Sequence, residues 1–222
     1  MDGTEGASGR VRSVNIGALV PNPAKGGLTA FGKRPVDGPV EVRAPGTAKG
    51  ESGLEGDAIG DKKHHGGNGQ AVYAFAREDL DSWAATLGRE LPDGAFGENL
   101  TTVGIDPNRA LIGEHWQVGE RLVLQVTSPR LPCKTFALWL GENGWIRRFT
   151  EVGRPGAYLS VVQPGPVRAG DPVVVVRRPS HRVSISAAMY ALTTKPELLS
   201  DLLAAGDDLP EEMRQNICTK LR

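Results

Sequence analysis

The stretch Trp116–Val126, WQVGERLVLQV, reads as strand, and its continuation Leu122–Thr127 is a strong strand signal. Short apolar runs of the same kind lie on both sides: Val11–Val20, Val36–Val42, Gln70–Phe75, Ala157–Val162 and Pro172–Val176. Turn signals separate them, among them Pro21-Asn22-Pro23, Asp37-Gly38-Pro39 and Gln163-Pro164-Gly165-Pro166. Only two mid-chain stretches read as helices. In Arg77–Leu87, Leu80, Trp83, Ala84 and Leu87 share one face; the other is Asn143–Glu151. Many short strands with few helices predict a mainly β fold, a closed or partly closed β-barrel, because closure removes sheet edges.

The pattern changes near Arg178. Beyond it Ser184 is placed to cap a helix through Tyr190, and Thr194 a second with Pro196 early and Gly206 ending it. Asp208 precedes a third that begins Leu209-Pro210-Glu211-Glu212. The expected organisation is a disordered tail over 1–10, a barrel domain over 11–178 and a small three-helix domain over 179–222.

Gly (29) and Pro (16) make up about a fifth of the 222 residues, without a period, which suits many turns rather than collagen or disorder. Lys plus Arg equals Asp plus Glu at 26 each, so bulk electrostatic attraction to nucleic acid or an anionic membrane is not expected. The same neutrality argues against a helix-turn-helix reading of the last segment. No apolar run approaches the roughly 18 residues of a membrane span. The opening residues MDGTEGASGR lack a signal-peptide core, and the chain is expected to be cytoplasmic. Cys133 and Cys218, far apart in such a chain, predict no structural disulfide.

Three segments carry possible chemistry. Gly53-Leu54-Glu55-Gly56-Asp57 and Asp61-Lys62-Lys63-His64-His65-Gly66-Gly67 bring acids, lysines and histidines into a Gly-rich loop, which suits an anionic ligand or a solvated charge cluster. Phe96-Gly97-Glu98-Asn99-Leu100-Thr101 interrupts an apolar strand with polar groups, as a turn or a ligand contact would. Ser128-Pro129-Arg130-Leu131-Pro132-Cys133-Lys134 holds a thiol in a Pro-fixed loop. Its cationic neighbours Arg130 and Lys134 favour thiolate, the nucleophile and soft metal ligand. Cys218, beside Ile217 and without such neighbours, reads as structural.

These segments, in this order and spacing, resemble the MOSC domain family, named for the C-terminal domain of molybdenum cofactor sulfurase, and within it the YiiM-like branch with its C-terminal "3-alpha" domain. The resemblance covers about residues 12–222. It implies a MOSC-type β-barrel that binds molybdenum cofactor (molybdopterin), with Cys133 as the metal ligand. Glu98 and Asn99 match a motif near the cofactor, and His65, Gly66 and Gly67 match another. Arg130, Lys63 and the N–H groups of Gly66 and Gly67 are then expected to hold the pterin phosphate, and Asp57 or His65 to relay protons. His64 departs from the apolar residue the family often has there, which alters pocket polarity.

The activity implied is oxidoreductase chemistry on N-hydroxylated compounds such as 6-hydroxylaminopurine. A non-catalytic carrier of the cofactor, or a sulfur carrier with a persulfide on Cys133, stands as the alternative. Two cysteines cannot make an iron–sulfur centre and no flavin or nicotinamide fingerprint is present, so a separate electron-donating reductase is the expected partner.

Overall fold

The structure, a computed structural model, describes residues 8–24, 26–46 and 49–221. The first half forms strands β1 (Ser8–Ile16), β2 (Val20–Pro21), β3 (Leu28–Thr29), β4 (Arg34–Pro35), β5 (Val40–Val42) and β6 (Val72–Ala76), then helix α1 (Arg77–Leu87). Strands β7 (Leu100–Val103), β8 (His115–Val118) and β9 (Leu122–Pro129) follow, then helices α2 (Lys134–Leu140) and α3 (Trp145–Val152). The chain ends with strands β10 (Ala157–Gln163), β11 (Gly165–Val167) and β12 (Pro172–Arg177) and helices α4 (Ile185–Thr193) and α5 (Glu211–Lys220).

Seven strands close into a barrel in the order β12-β8-β9-β10-β6-β7-β1, and β1 returns to pair with β12 through Ser8 and Val174. Closure leaves no open edge along the barrel. All neighbours are antiparallel except β6 and β7, whose parallel pairing needs a crossover that α1 provides. The fold is thus the strand-dominated barrel expected, with helices outside it.

The apolar side chains divide in two. Val11, Val14, Leu100, Trp116, Leu122, Leu124 and Leu159 fill the barrel, in one continuous core with Ile185, Leu199, Leu202 and Ile217 of the C-terminal segment. The second core is aromatic and takes all five Phe residues of the chain, together with Trp83, Trp145, Tyr73 and Tyr158. Ring centroids there lie 4.6 Å apart for Trp83–Trp145, 5.0 Å for Phe96–Phe136 and 5.2 Å for Phe136–Trp145. This core clamps α1, α2 and α3 to one end of the barrel.

Several expectations are corrected. Of the tail expected to be disordered, residues 1–7 lie outside the described residues, whereas Ser8–Arg10 belong to β1 and make the closing pairs with β12. Trp116–Val126 is not one strand but the β8–β9 hairpin, turning at Gly119, whose φ of 60° suits glycine. Helix α2, which the sequence did not announce, is a short helix that buries Phe136 and Leu140. The second C-terminal helix, Pro196–Asp208, is 3₁₀, with Leu199, Leu202 and Ala205 buried at every third residue, and it breaks at Gly206 (φ 54°, ψ −131°), the residue expected to end it. Thr194 does not cap it. Thr194 closes α4, and Asp208 pairs with Arg177 at 2.8 Å. Cys218 is exposed, its neighbour Ile217 being the buried residue of α5. Ser184 caps α4 as expected, accepting from the Ala187 N–H at 3.2 Å. No helix among the described residues is long and apolar enough to cross a membrane.

Phe96 has five other rings of the aromatic core around it and is fully buried. Phe96→Ala is expected to lower the unfolding free energy by about 3–5 kcal/mol in a urea titration. A loss below about 1 kcal/mol would show that this core can collapse around the gap.

Candidate functional site

Strands β6, β10 and β9 lie side by side, and their register brings three residues together at the barrel end. Tyr158 pairs with Tyr73 on one side and with Ser128 on the other, and β9 runs on through Pro129 into Arg130. The Arg130 guanidinium therefore lies among aromatic rings, 5.2 Å from the centroids of Phe31 and Tyr73 and 5.4 Å from Phe136. It donates to Tyr158 Oη at 2.6 Å.

Arg130 is only 6% exposed, its Nε has no hydrogen-bond partner, and among the described residues it has no carboxylate partner. Burial opposes its charge, but Tyr158, Tyr73 and Cys133 around it raise its pKa, so the cation persists. The rings contribute cation–π attraction of about 1–2 kcal/mol each. A buried charge without a counter-ion still costs several kcal/mol. This cation sits in the wall of a cleft of about 1060 Å³ that the thiol of Cys133 also lines. Such an arrangement is completed by an anion.

Cys133 is half-buried and immediately precedes α2, its carbonyl accepting from the Ala137 N–H at 3.1 Å. Because Phe136 anchors α2 in the aromatic core, the thiol is positioned by packing as well as by the loop prolines. Among the described residues no three His, Cys, Asp or Glu side chains gather as a metal site.

The two acids singled out by sequence stand behind the cleft rather than in it. Asp57 has a fully buried side chain whose oxygens accept from the N–H of Gly17 (2.8 Å), Ser52 Oγ (2.6 Å), Asn99 Nδ2 (3.0 Å) and Lys33 Nζ. With its acceptor positions occupied, Asp57 holds its neighbours and does not reach a ligand, contrary to the proton-relay expectation. Glu98 is 0% exposed and accepts from the N–H groups of Gly94 (2.6 Å) and Phe96 (3.0 Å) and from Thr101 Oγ1 (2.9 Å). Burial pushes its carboxyl up to about 7 against those bonds. It shapes the 94–101 loop and does not line the cleft, which corrects its cofactor-binding assignment.

Asn99 does line the cleft, with its amide engaged: Oδ1 accepts from the Tyr73 N–H at 3.1 Å, and Nδ2 donates to Asn15 as well as to Asp57. Gly66 also lines it. A Cβ there would lie 2.5 Å from the Glu51 carbonyl oxygen, and its φ is 79°, so only glycine fits. Gly67 donates its N–H to that same carbonyl at 2.9 Å, leaving it unable to cradle a phosphate. Lys63 stands exposed on the rim.

Both histidines reach the cleft, His64 exposed and paired with Asp61 at 3.1 Å, His65 more deeply set. Burial first, then the Arg130 charge, pushes His65 down to about 4. It is therefore neutral near pH 7.

Sequence reading missed Lys33, Gln70, Tyr73 and Tyr158. Lys33 lines the cleft with its ammonium on Asp57; burial lowers its pKa while Asp57 opposes that shift. Gln70 Oε1 is buried without a partner. The tyrosines read only as strand residues, since nothing local says that they end beside Arg130.

A family model described as MOSC domain matches residues 61–174. Protein YiiM of Escherichia coli (strain K12) is 33% identical over 174 residues, 75% of this chain and 72% of that protein. The uncharacterized protein YflK of Bacillus subtilis (strain 168) is 33% identical over 135 residues, 61% of each chain. A Gibberella moniliformis protein named Reductase is 28% identical over 207 residues, 91% of this chain but 34% of that one. This chain thus spans less than two thirds of two of these three relatives. The crystal structure of YiiM from Geobacillus stearothermophilus superposes with a TM-score of 0.77 at 24% identity, covering 96% of this chain and all of that one, and so shows the same fold. With a family model over half of its length and YiiM and YflK as homologues, the chain belongs to the MOSC domain family.

Proposed function

We propose that this chain is a molybdenum cofactor-dependent reductase of N-hydroxylated compounds such as 6-hydroxylaminopurine, with Cys133 as the protein's ligand to molybdenum. The observation that carries the reading is the buried Arg130 guanidinium, unneutralised by any carboxylate among the described residues, in the same cleft as a half-buried thiol. Membership of a family named after molybdenum cofactor sulfurase ties the chain to that cofactor, and a relative named Reductase supports redox chemistry.

The residues present fit an anionic, sulfur-seeking group: Arg130 Nε is a buried donor awaiting a partner, Lys63 adds positive charge on the rim, and Cys133 offers a soft ligand. When bound, the cofactor supplies the two-electron chemistry that removes an oxygen atom from an N–O group as water. Arg130 would anchor its anionic part. Tyr158 Oη accepts from Arg130, which leaves the phenolic proton free to point into the cleft and pass to a departing oxygen. His65, neutral, can hydrogen-bond without adding to the positive charge. Electrons would come from a separate reductase, since two cysteines are too few for an iron–sulfur cluster.

Protein purified from cells that make the cofactor is expected to carry near-stoichiometric molybdenum by plasma mass spectrometry. Cys133→Ala should lose most of it, and Arg130→Met should retain at least tenfold less, the scale of a charge-assisted hydrogen bond. Removing the unpaired charge should leave the stability of metal-free Arg130→Met within about 1 kcal/mol of the parent. Full molybdenum in Cys133→Ala would sink the ligand assignment. Turnover of 6-hydroxylaminopurine with a reduced donor separates the enzyme from a carrier.

Tyr158→Phe is expected to keep its molybdenum while kcat falls about a hundredfold, the lower range for a lost general acid. An unchanged kcat would remove Tyr158 from the proton path.

Acid sensitivity tests the His65 environment. Its folded pKa lies below the unfolded 6.5, so the unfolded chain binds more protons between about 4 and 6.5. The stability tied to neutral His65 is complete above pH 6.5 and is lost as pH falls toward 4, by about 2–3 kcal/mol. Subtracting His65→Asn from wild-type unfolding curves across that range should isolate this slope, and a flat difference would contradict it.

A further inference from the structure

One wall of the cleft does not come from the barrel. Leu192 of α4 and Glu212, Met213, Asn216 and Lys220 of α5 line it together with Arg130 and Cys133. The four α5 residues recur at spacings of three and four and so form one face of that helix. Ile217 is the one fully buried residue of α5; Met213 is partly buried and packs its inner side on the main core while lining the cleft, and Asn216 is exposed to it. Its first turn is also held by polar contacts: Glu212 pairs with Lys49 at 3.2 Å, and Arg214 donates to the Gly206 carbonyl. These residues also lie outside the 61–174 span that the family model matches, whereas Arg130 and Cys133 lie within it.

We propose that the Met213–Asn216 face of α5 selects the substrate, an inference that rests on the proposed function. The barrel side would hold the reacting group, and the helix side would read the part of the substrate remote from the N–O bond. The flat, nitrogen-containing ring of the substrate proposed above suits this face. The Met213 thioether and Leu192 offer a polarizable apolar surface that adapts to a ring face. The Asn216 amide can both donate to and accept from a ring edge. Across the same cleft, the unpaired Gln70 Oε1 needs an N–H donor, which such a ring or its amino group carries. Contacts remote from the reacting centre show themselves as selectivity between substrates.

The test compares wild type, Met213→Ala, Met213→Leu and Asn216→Ala, each purified with its cofactor. The readout is the ratio of kcat/KM for 6-hydroxylaminopurine to that for hydroxylamine, which has no ring to read. The ratio should fall about five- to tenfold in Met213→Ala and Asn216→Ala, with molybdenum content equal to wild type, and Met213→Leu should recover most of the loss. Calorimetry with adenine, the reduced ring, should show a Kd weakened by a similar factor without requiring turnover. Ratios and adenine Kd values within twofold of wild type in both alanine variants would overturn the inference while leaving the proposed function standing. Loss of molybdenum from these variants would also overturn it, by showing that α5 acts on the cofactor. Wild type with neither molybdenum nor turnover would overturn the proposed function itself.

Discussion

The Asp57 carboxylate is the knot on which the cleft depends. Its two oxygens collect the backbone after β1 at Gly17, the loop Lys33, the Gly-rich loop at Ser52 and the amide of Asn99. These four segments are distant in sequence and none is long enough to hold its own shape. A carboxylate can accept several hydrogen bonds at once, and in a buried setting each is strengthened by the low local dielectric. Asn99 passes the constraint on to the Tyr73 backbone, and so to the strand whose ring faces Arg130. Replacing Asp57 would remove the common partner of all four, leaving Lys33 as a second buried cation without an anion.

Arg130 shows the opposite logic. Where Asp57 is saturated, Arg130 is deliberately under-served: three rings and one phenol surround it, and no acid among the described residues does. The ligand-free protein carries that unmet demand as a loss of stability, and a bound anion returns it as affinity. The dense aromatic packing around α2 makes this tolerable, because it fixes the guanidinium and the thiol before any ligand arrives.

How much of this could be read from the chain depends on how local each determinant is. Helix α1 was legible with its bounds, since its apolar spacing and the Gly88 stop are local. The mainly β barrel followed from short runs between turns, and the Arg130–Cys133 segment declared itself by its prolines and charges. Helix α2 did not, because seven residues behind two prolines form a helix only when Phe136 has an aromatic core to enter. Where Asp57 and Glu98 stand could not be read in advance, because burial decided it, and burial belongs to the fold. The motif letters were in place, but Asp57 and Glu98 were spent on holding loops, and His65 lost its charge to its surroundings. Tyr158 and Tyr73 meet Arg130 only through strand register, which the local sequence does not express.

The pairing of Ser8–Arg10 with Pro172–Val174 has a consequence for how the molecule forms. The first strand cannot find this partner until nearly all of the barrel sequence has left the ribosome, and the C-terminal helices that share its core emerge later still. Such non-local contacts carry a large chain-closure entropy and make folding slow. Until then the edge of β1 that β12 will cover is unpaired, the kind of exposed edge that favours pairing with other chains.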